Sequence, residues 1–221
     1  METSEKKVEN SNLNGNRKSK RKSRISLVSL FILSLLILPA NVTSAHCDTM
    51  DGPLIADAVK ALTLDNVNYA LKWVSAANES EIRDAFSLVM KVKGLSPEAK
   101  ELSEKYFFDT LVRIHRAGEG VPFTGVKPSG TPIDEKVLAA DKSIEIANLS
   151  PLAGKISEND FPELTERFEK VISLRHFDVN NVEAGRKYIE AYVQFFKFAE
   201  GEEDGHNNVH AKSTRNSVHI H

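Results

Sequence analysis

From residue 53 onward the apolar positions recur at helical rather than strand spacing. "LIADAVKAL" (54–62) aligns Leu54, Ala58 and Ala61/Leu62 on one face, and Pro53 suits the first turn of a helix. Val67, Leu71 and Val74 repeat in the same way, with Asp65 placed to cap. "NESE" (78–81) has the form of a capping box, Asn78 as cap and Glu81 reaching back, ahead of Ile82, Phe86, Val89 and Met90. The strongest stretch is 96–120. Ser96 caps, Pro97 follows, Leu102, Tyr106, Thr110/Leu111 and Ile114 form the expected buried stripe, and Gly118 and Gly120 stop the helix.

Residues 121–132 carry three prolines and two glycines, which predicts a long ordered loop. Helical periodicity resumes over 134–148, a short turn is expected in "SPLAGKIS", and helices follow over 160–174 and 180–200. The last presents a wide apolar face through Val182, Tyr188/Ile189, Tyr192/Val193 and Phe195/Phe196. No segment combines β-branched alternation with hairpin signals. The pattern therefore predicts an all-α domain over 46–200: an antiparallel multi-helix bundle with one long Gly/Pro-rich loop. Residues 201–221 lack apolar periodicity and read as a disordered tail. It holds His206, His210, His219 and His221, either weak metal donors or incidental polar composition.

Charge changes the picture at the other end. The 221-residue chain has a net charge of −2, but residues 1–45 hold eight Lys/Arg against three Asp/Glu, which leaves −7 on the remainder. The basic residues cluster in "NRKSKRKSR" (16–24), directly before the uncharged run "ISLVSLFILSLLIL". A basic segment, a short apolar run and then small residues form the layout of a secretory signal, with Thr43 and Ala45 at −3 and −1 of a cut before His46. The run is short of the roughly 20 residues a membrane span requires. A retained anchor is the alternative, and a lipid anchor on Cys47 would need a small residue where His46 stands. The expected product is secreted or periplasmic, with no stable membrane span after cleavage. Its acidic surface argues against nucleic acid.

Cleavage before His46 would leave a chain beginning His-Cys-Asp-Thr-Met-Asp-Gly-Pro. His46 would then supply an amine and an imidazole, and Cys47, the only cysteine, a thiolate and a backbone nitrogen. Such a nitrogen–sulfur set suits a transition metal, nickel or copper first and zinc next. Asp48 and Asp51 are further oxygen donors. The plainer reading has Cys47 as a small buried thiol, His46 as a mark of the cut and the aspartates as caps. With one cysteine no internal disulfide can form, so the domain must fold on its apolar core.

"HCD", with a glycine at the seventh position of the cleaved chain, resembles the nickel hook of nickel superoxide dismutases. That resemblance implies a helical bundle, nickel bound by His46 and Cys47, and superoxide dismutation. The second cysteine of the hook falls on Asp51 here, and the proline before it on Met50. More broadly, "AHCDTMDGP", "YFFDTLVRIHRAGEG", "PFTGVKPSGTP" and "VEAGRKYIEAYVQFF" resemble recurring segments of an exported bacterial family of unknown function. This implies an exported helical protein and no particular activity.

His115 is the one further histidine singled out as a donor, at the border of a buried stripe and separated by five residues from the Gly/Pro-rich loop. The alternative is an interfacial histidine bonded to a carboxylate or a carbonyl. Arg113, Arg116 and Glu119 read as a solvated helix end, and His176 as a helix C-terminal residue. Tyr106, Phe107, Phe108, Phe123 and Trp73 read as core, or as a pocket wall. No nucleophile triad, phosphate loop or zinc-helix motif is present. The expectation is a metal-binding exported protein, catalytic or purely capturing, with a structural or interaction module as the other class. The sequence leaves open whether it is an enzyme and whether it forms a homo-oligomer.

Overall fold

A computed structural model of the chain describes residues 46–201; the predicted signal segment and the histidine-bearing tail lie outside the described residues. The described chain is helical, with a single isolated bridge as its only β feature. Its helices are α1 (Pro53–Thr63), α2 (Asn68–Leu71), α3 (Glu79–Val92), α4 (Pro97–Gly118), α5 (Glu135–Ile146), α6 (Phe161–Leu174) and α7 (Val182–Glu200). Short 3-10 turns occupy Ala76–Asn78 and Ser150–Leu152. The all-α class read from the periodicity is what the structure has.

Local chemistry accounts for most helix starts. Ser96 Oγ accepts from the Ala99 amide at 3.1 Å with Pro97 next in line, and Asp134 and Asn181 cap α5 and α7 with their side chains. Two expected caps do not form. Asn78 turns its amide to Ser75 Oγ and makes no bond to the helix it precedes, while Glu81 pairs with Arg113 across to α4. Asp65 sits in the left-handed region at φ 51° and Asn66 takes the nearby amide instead, so α2 is a single turn after which Trp73 and Val74 leave the helix.

One core unites the helices. α3 packs on α4, α6 and α5 on α7, and α1 bridges α2 and α4. Phe107, Leu111, Leu164, Phe195 and Phe196 are fully enclosed within it. The expected stripe on α4 is displaced in its first half. Leu102 and Tyr106 are 72% and 48% exposed, and Ser103, Phe107 and Phe108 face inward in their place. The two adjacent phenylalanines bury more apolar area on that side than Leu102 and Tyr106 would, and they set the rotation of the helix.

Candidate functional site

The segment before α1 is a tight turn tucked against the bundle. Gly52 N–H donates to Thr49 O at 2.9 Å, and Thr49 Oγ1 donates to the His46 carbonyl at 3.2 Å. The long loop lies along its outer side: Lys127 N–H donates to Asp48 O (2.7 Å) and Met50 N–H to Lys127 O (2.9 Å), with Thr49 and Lys127 forming the isolated parallel bridge. This satisfies backbone groups that burial would otherwise leave orphaned. His46, Cys47, Asp48 and Thr49 are all buried as a result.

His46 is held by its far nitrogen. Nε2 lies 2.6 Å from Asp141 Oδ2 and 3.0 Å from the Tyr192 oxygen, while the Tyr192 hydroxyl donates to Asp141 Oδ1 at 2.7 Å. The carboxylate can only accept, so the hydrogen of the neutral ring is on Nε2 and the lone pair on Nδ1. Nδ1 is buried and has no hydrogen-bond partner. His115 shows the same arrangement with the atoms exchanged. Its Nδ1 donates to the Trp73 carbonyl at 2.9 Å, and its Nε2, buried and without a hydrogen bond, faces Glu119 Oε2 at 3.6 Å. Burial holds His115 below the ordinary imidazole range, which favours the neutral ring.

Acidic groups surround the thiol. Cys47 is fully enclosed and free, and burial, then Glu119, Asp48 and Asp141, push it well above its usual range. Without a cation in place it stays protonated and is a poor nucleophile. Burial likewise raises Asp48 to about 6 against the pull of Arg116, whose Nε is 3.3 Å away. The last turn of α4 is therefore not the solvated end expected: Arg116 is buried between Asp48 and Glu119, and Lys197 of α7 reaches Glu119 at 3.1 Å. The N-terminal turn and the loop cover it. Arg113 alone of the three stays exposed, and His176 is exposed beyond α6.

The structure thus gathers His46, Cys47, Asp48 and His115 in the interior and leaves Asp51 outside. Asp51 is on the surface, accepting from Ser129 Oγ (2.7 and 2.8 Å) and from the Gly130 amide (2.7 Å). Among the described residues no group of three or more His, Cys, Asp or Glu side chains is arranged to hold a metal ion as it stands. The periodicity assigned no role to Asp141, Asp57 or Lys72, and placed Tyr192 only on the apolar face of the last helix. Asp57 accepts from Trp73 Nε1 at 3.0 Å and pairs with Lys72 at 2.8 Å, both partners being buried. A signal existed: Asp57 stands three residues after Leu54 and four before Ala61, and Asp141 four after Val137 and three before Ile144, each a carboxylate on an apolar stripe.

The model of a family described as "Family of unknown function (DUF6448)" matches residues 51–198. The chain belongs to that family. The DUF6448 match covers every helix start from α1 to α7, with Asp57, His115, Asp141 and Tyr192, and begins just after His46, Cys47 and Asp48. No curated protein and no solved structure matches the chain. Among the described residues, no helix is long and apolar enough to cross a membrane.

Asp51 supplies a prediction about the loop. Its hydrogen bonds from Ser129 and Gly130 hold its carboxyl below the usual carboxylate range. A depressed folded pKa means the contribution is complete above that usual range and is lost as pH falls through the depressed value. Asp51→Ala is expected to speed amide exchange at Gly130 and proteolysis within 121–132 at neutral pH, while the parent loosens there only in strong acid. Unchanged exchange at Gly130 would show that the loop is held by its backbone bridge alone.

Proposed function

We propose that the protein is exported, cut before His46, and binds one transition-metal ion through His46 and Cys47, with Asp48 and His115 as further buried donors. The observation that carries this reading is that two histidine nitrogens are buried without a hydrogen bond in the same interior that encloses a free thiol. The Asp141 carboxylate on the opposite nitrogen of His46 has the form of the outer support that orients metal-binding histidines and raises their basicity. The carboxylates that keep Cys47 protonated would also favour a cation that displaces its proton. Binding would require the donor side chains to turn toward one another, and the cut would add the terminal amine.

The reading is of binding rather than turnover. Asp51 stands where a hook would carry its second sulfur and is tied to Ser129 and Gly130, so the donor set has one thiolate. A bound redox-active ion would supply one-electron chemistry, and superoxide is the first substrate to assay on the loaded protein. The deciding experiment uses the exported product of the full chain. Intact mass should give His46 as the first residue. Nickel(II) or copper(II) titration should saturate at about one ion per chain, and cobalt(II) should give a thiolate charge-transfer band. His46→Ala and Cys47→Ser should each weaken binding by about 100-fold or more, Asp141→Asn by about 10–100-fold, and Asp51→Asn hardly at all. A first residue other than His46, or equal metal uptake by Cys47→Ser, ends the reading.

A further inference from the structure

On the other side of Asp141 a cleft of about 910 Å³ opens between α1, the α2 turn, α5, the 175–179 segment and α7. That is the size of a small-molecule site. Its wall is a run of rings in contact: Phe177 on Tyr188 (5.4 Å), Tyr188 stacked on Tyr192 (6.2 Å), and Tyr192 edge-on to Trp73 (6.2 Å). Asp141 lines the same cleft with its side chain 34% exposed.

Charge decides what such a wall would hold. Among the cleft's other carboxylates, Asp57 is neutralised by Lys60 and Lys72, Glu145 pairs outward with Lys142, and Asp178 at the edge accepts from the Asn180 amide of its own turn. Asp141 has no lysine or arginine partner; its contacts are the Tyr192 hydroxyl and the His46 ring. Arg175, the remaining cation of the lining, donates to His176 and to the Ile144 carbonyl. One ammonium already rests on these rings: Lys72 Nζ stands 5.2 Å from the centre of Phe177. Aromatic faces beside an uncompensated carboxylate attract an organic cation, because the ring faces are negative and an alkylammonium loses little hydration there. Burial first, and then Asp57 and Asp141, raise Tyr188.

We propose that this cleft binds a small organic cation, an amine or quaternary ammonium, with Asp141 as its counter-charge and the rings of Phe177, Tyr188 and Tyr192 around its alkyl groups. The site stands apart from the metal reading, although both meet at Asp141.

Trp73 is the only tryptophan in the chain and lines the cleft, so its fluorescence reports occupancy. Metal-free protein is titrated with benzyltrimethylammonium and, separately, with benzoate, so the result does not depend on the metal site. The ammonium should shift Trp73 emission saturably and benzoate should not. Asp141→Asn should weaken the ammonium by about tenfold or more, and Glu135→Gln, at an exposed carboxylate of α5 outside the cleft, should leave it unchanged. Should Asp141→Asn fail to fold by circular dichroism, Tyr188→Leu takes its place, with a loss of affinity expected. No saturable response to the ammonium, equal or tighter binding of benzoate, a loss in Glu135→Gln as large as in Asp141→Asn, or unchanged affinity in a folded Asp141→Asn or Tyr188→Leu overturns the proposal.

Discussion

Gly52→Ala is expected to expel the N-terminal turn. A Cβ at this position would lie 2.1 Å from the His46 carbonyl oxygen, and 3.0 and 3.1 Å from Thr49 Oγ1 and O. The first contact is with backbone, so no rotamer relieves it. The φ of Gly52, −77°, is ordinary; glycine is needed here for space alone. Because the turn is fastened by Thr49 and by the Lys127 bridge, giving way means breaking those bonds. Overpacking of this severity should cost about 3 kcal/mol, read as a lower urea midpoint. Cys47, enclosed in the parent, should become reactive to a thiol reagent at native conditions. A variant as stable as the parent, with an unreactive thiol, would mean that the turn does not need the close approach of Gly52 to His46.

Asp57→Ala should be comparably damaging for a different reason. Its carboxylate holds Lys72 at 2.8 Å and Trp73 Nε1 at 3.0 Å, and both partners are buried. Removing it strands an ammonium in the interior and orphans an indole N–H. Breaking one side of a buried pair costs about 3–5 kcal/mol, more than the pair itself contributes. α7 packs on the stem of Lys72 as well: a Cβ on Gly185 would stand 2.9 Å from Lys72 Cβ. The urea midpoint should fall and Trp73 emission should move to the red. The double change Asp57→Ala with Lys72→Met should recover much of the loss, since the stranded charge is then gone. If the double variant is no more stable than the single one, the lost Trp73 contact and the cavity, rather than the buried charge, carry the cost.

The candidate site divides cleanly by the kind of information each residue needed. His46, Cys47 and Asp48 stood out in the sequence because a lone thiol follows a histidine after an apolar run, a pattern of neighbours along the chain. His115 was visible from its place on the stripe of α4. Asp51 looked equivalent to Asp48, yet three residues along a tight turn point the two carboxylates to opposite environments, one interior and one toward Ser129 and Gly130. Arg116 and Glu119 looked like a solvated end because Asp48 and Lys197, which pair with them, come from far along the chain. Asp141 and Tyr192, 51 residues apart, meet only because α5 packs on α7.

By itself the sequence determined the class of fold, most helix boundaries, the cap of Ser96, and the loop between α4 and α5. These follow from spacing, side-chain oxygens, proline and glycine acting over a few residues, so neighbours in the chain suffice. Tertiary structure alone decided the rotation of α4, the burial of the turn before α1, the tautomers of His46 and His115, and the pairing of Asp57 with Lys72. Each of these depends on which groups compete for the same enclosed space. That competition is settled by packing between distant segments, which periodicity along one helix does not encode.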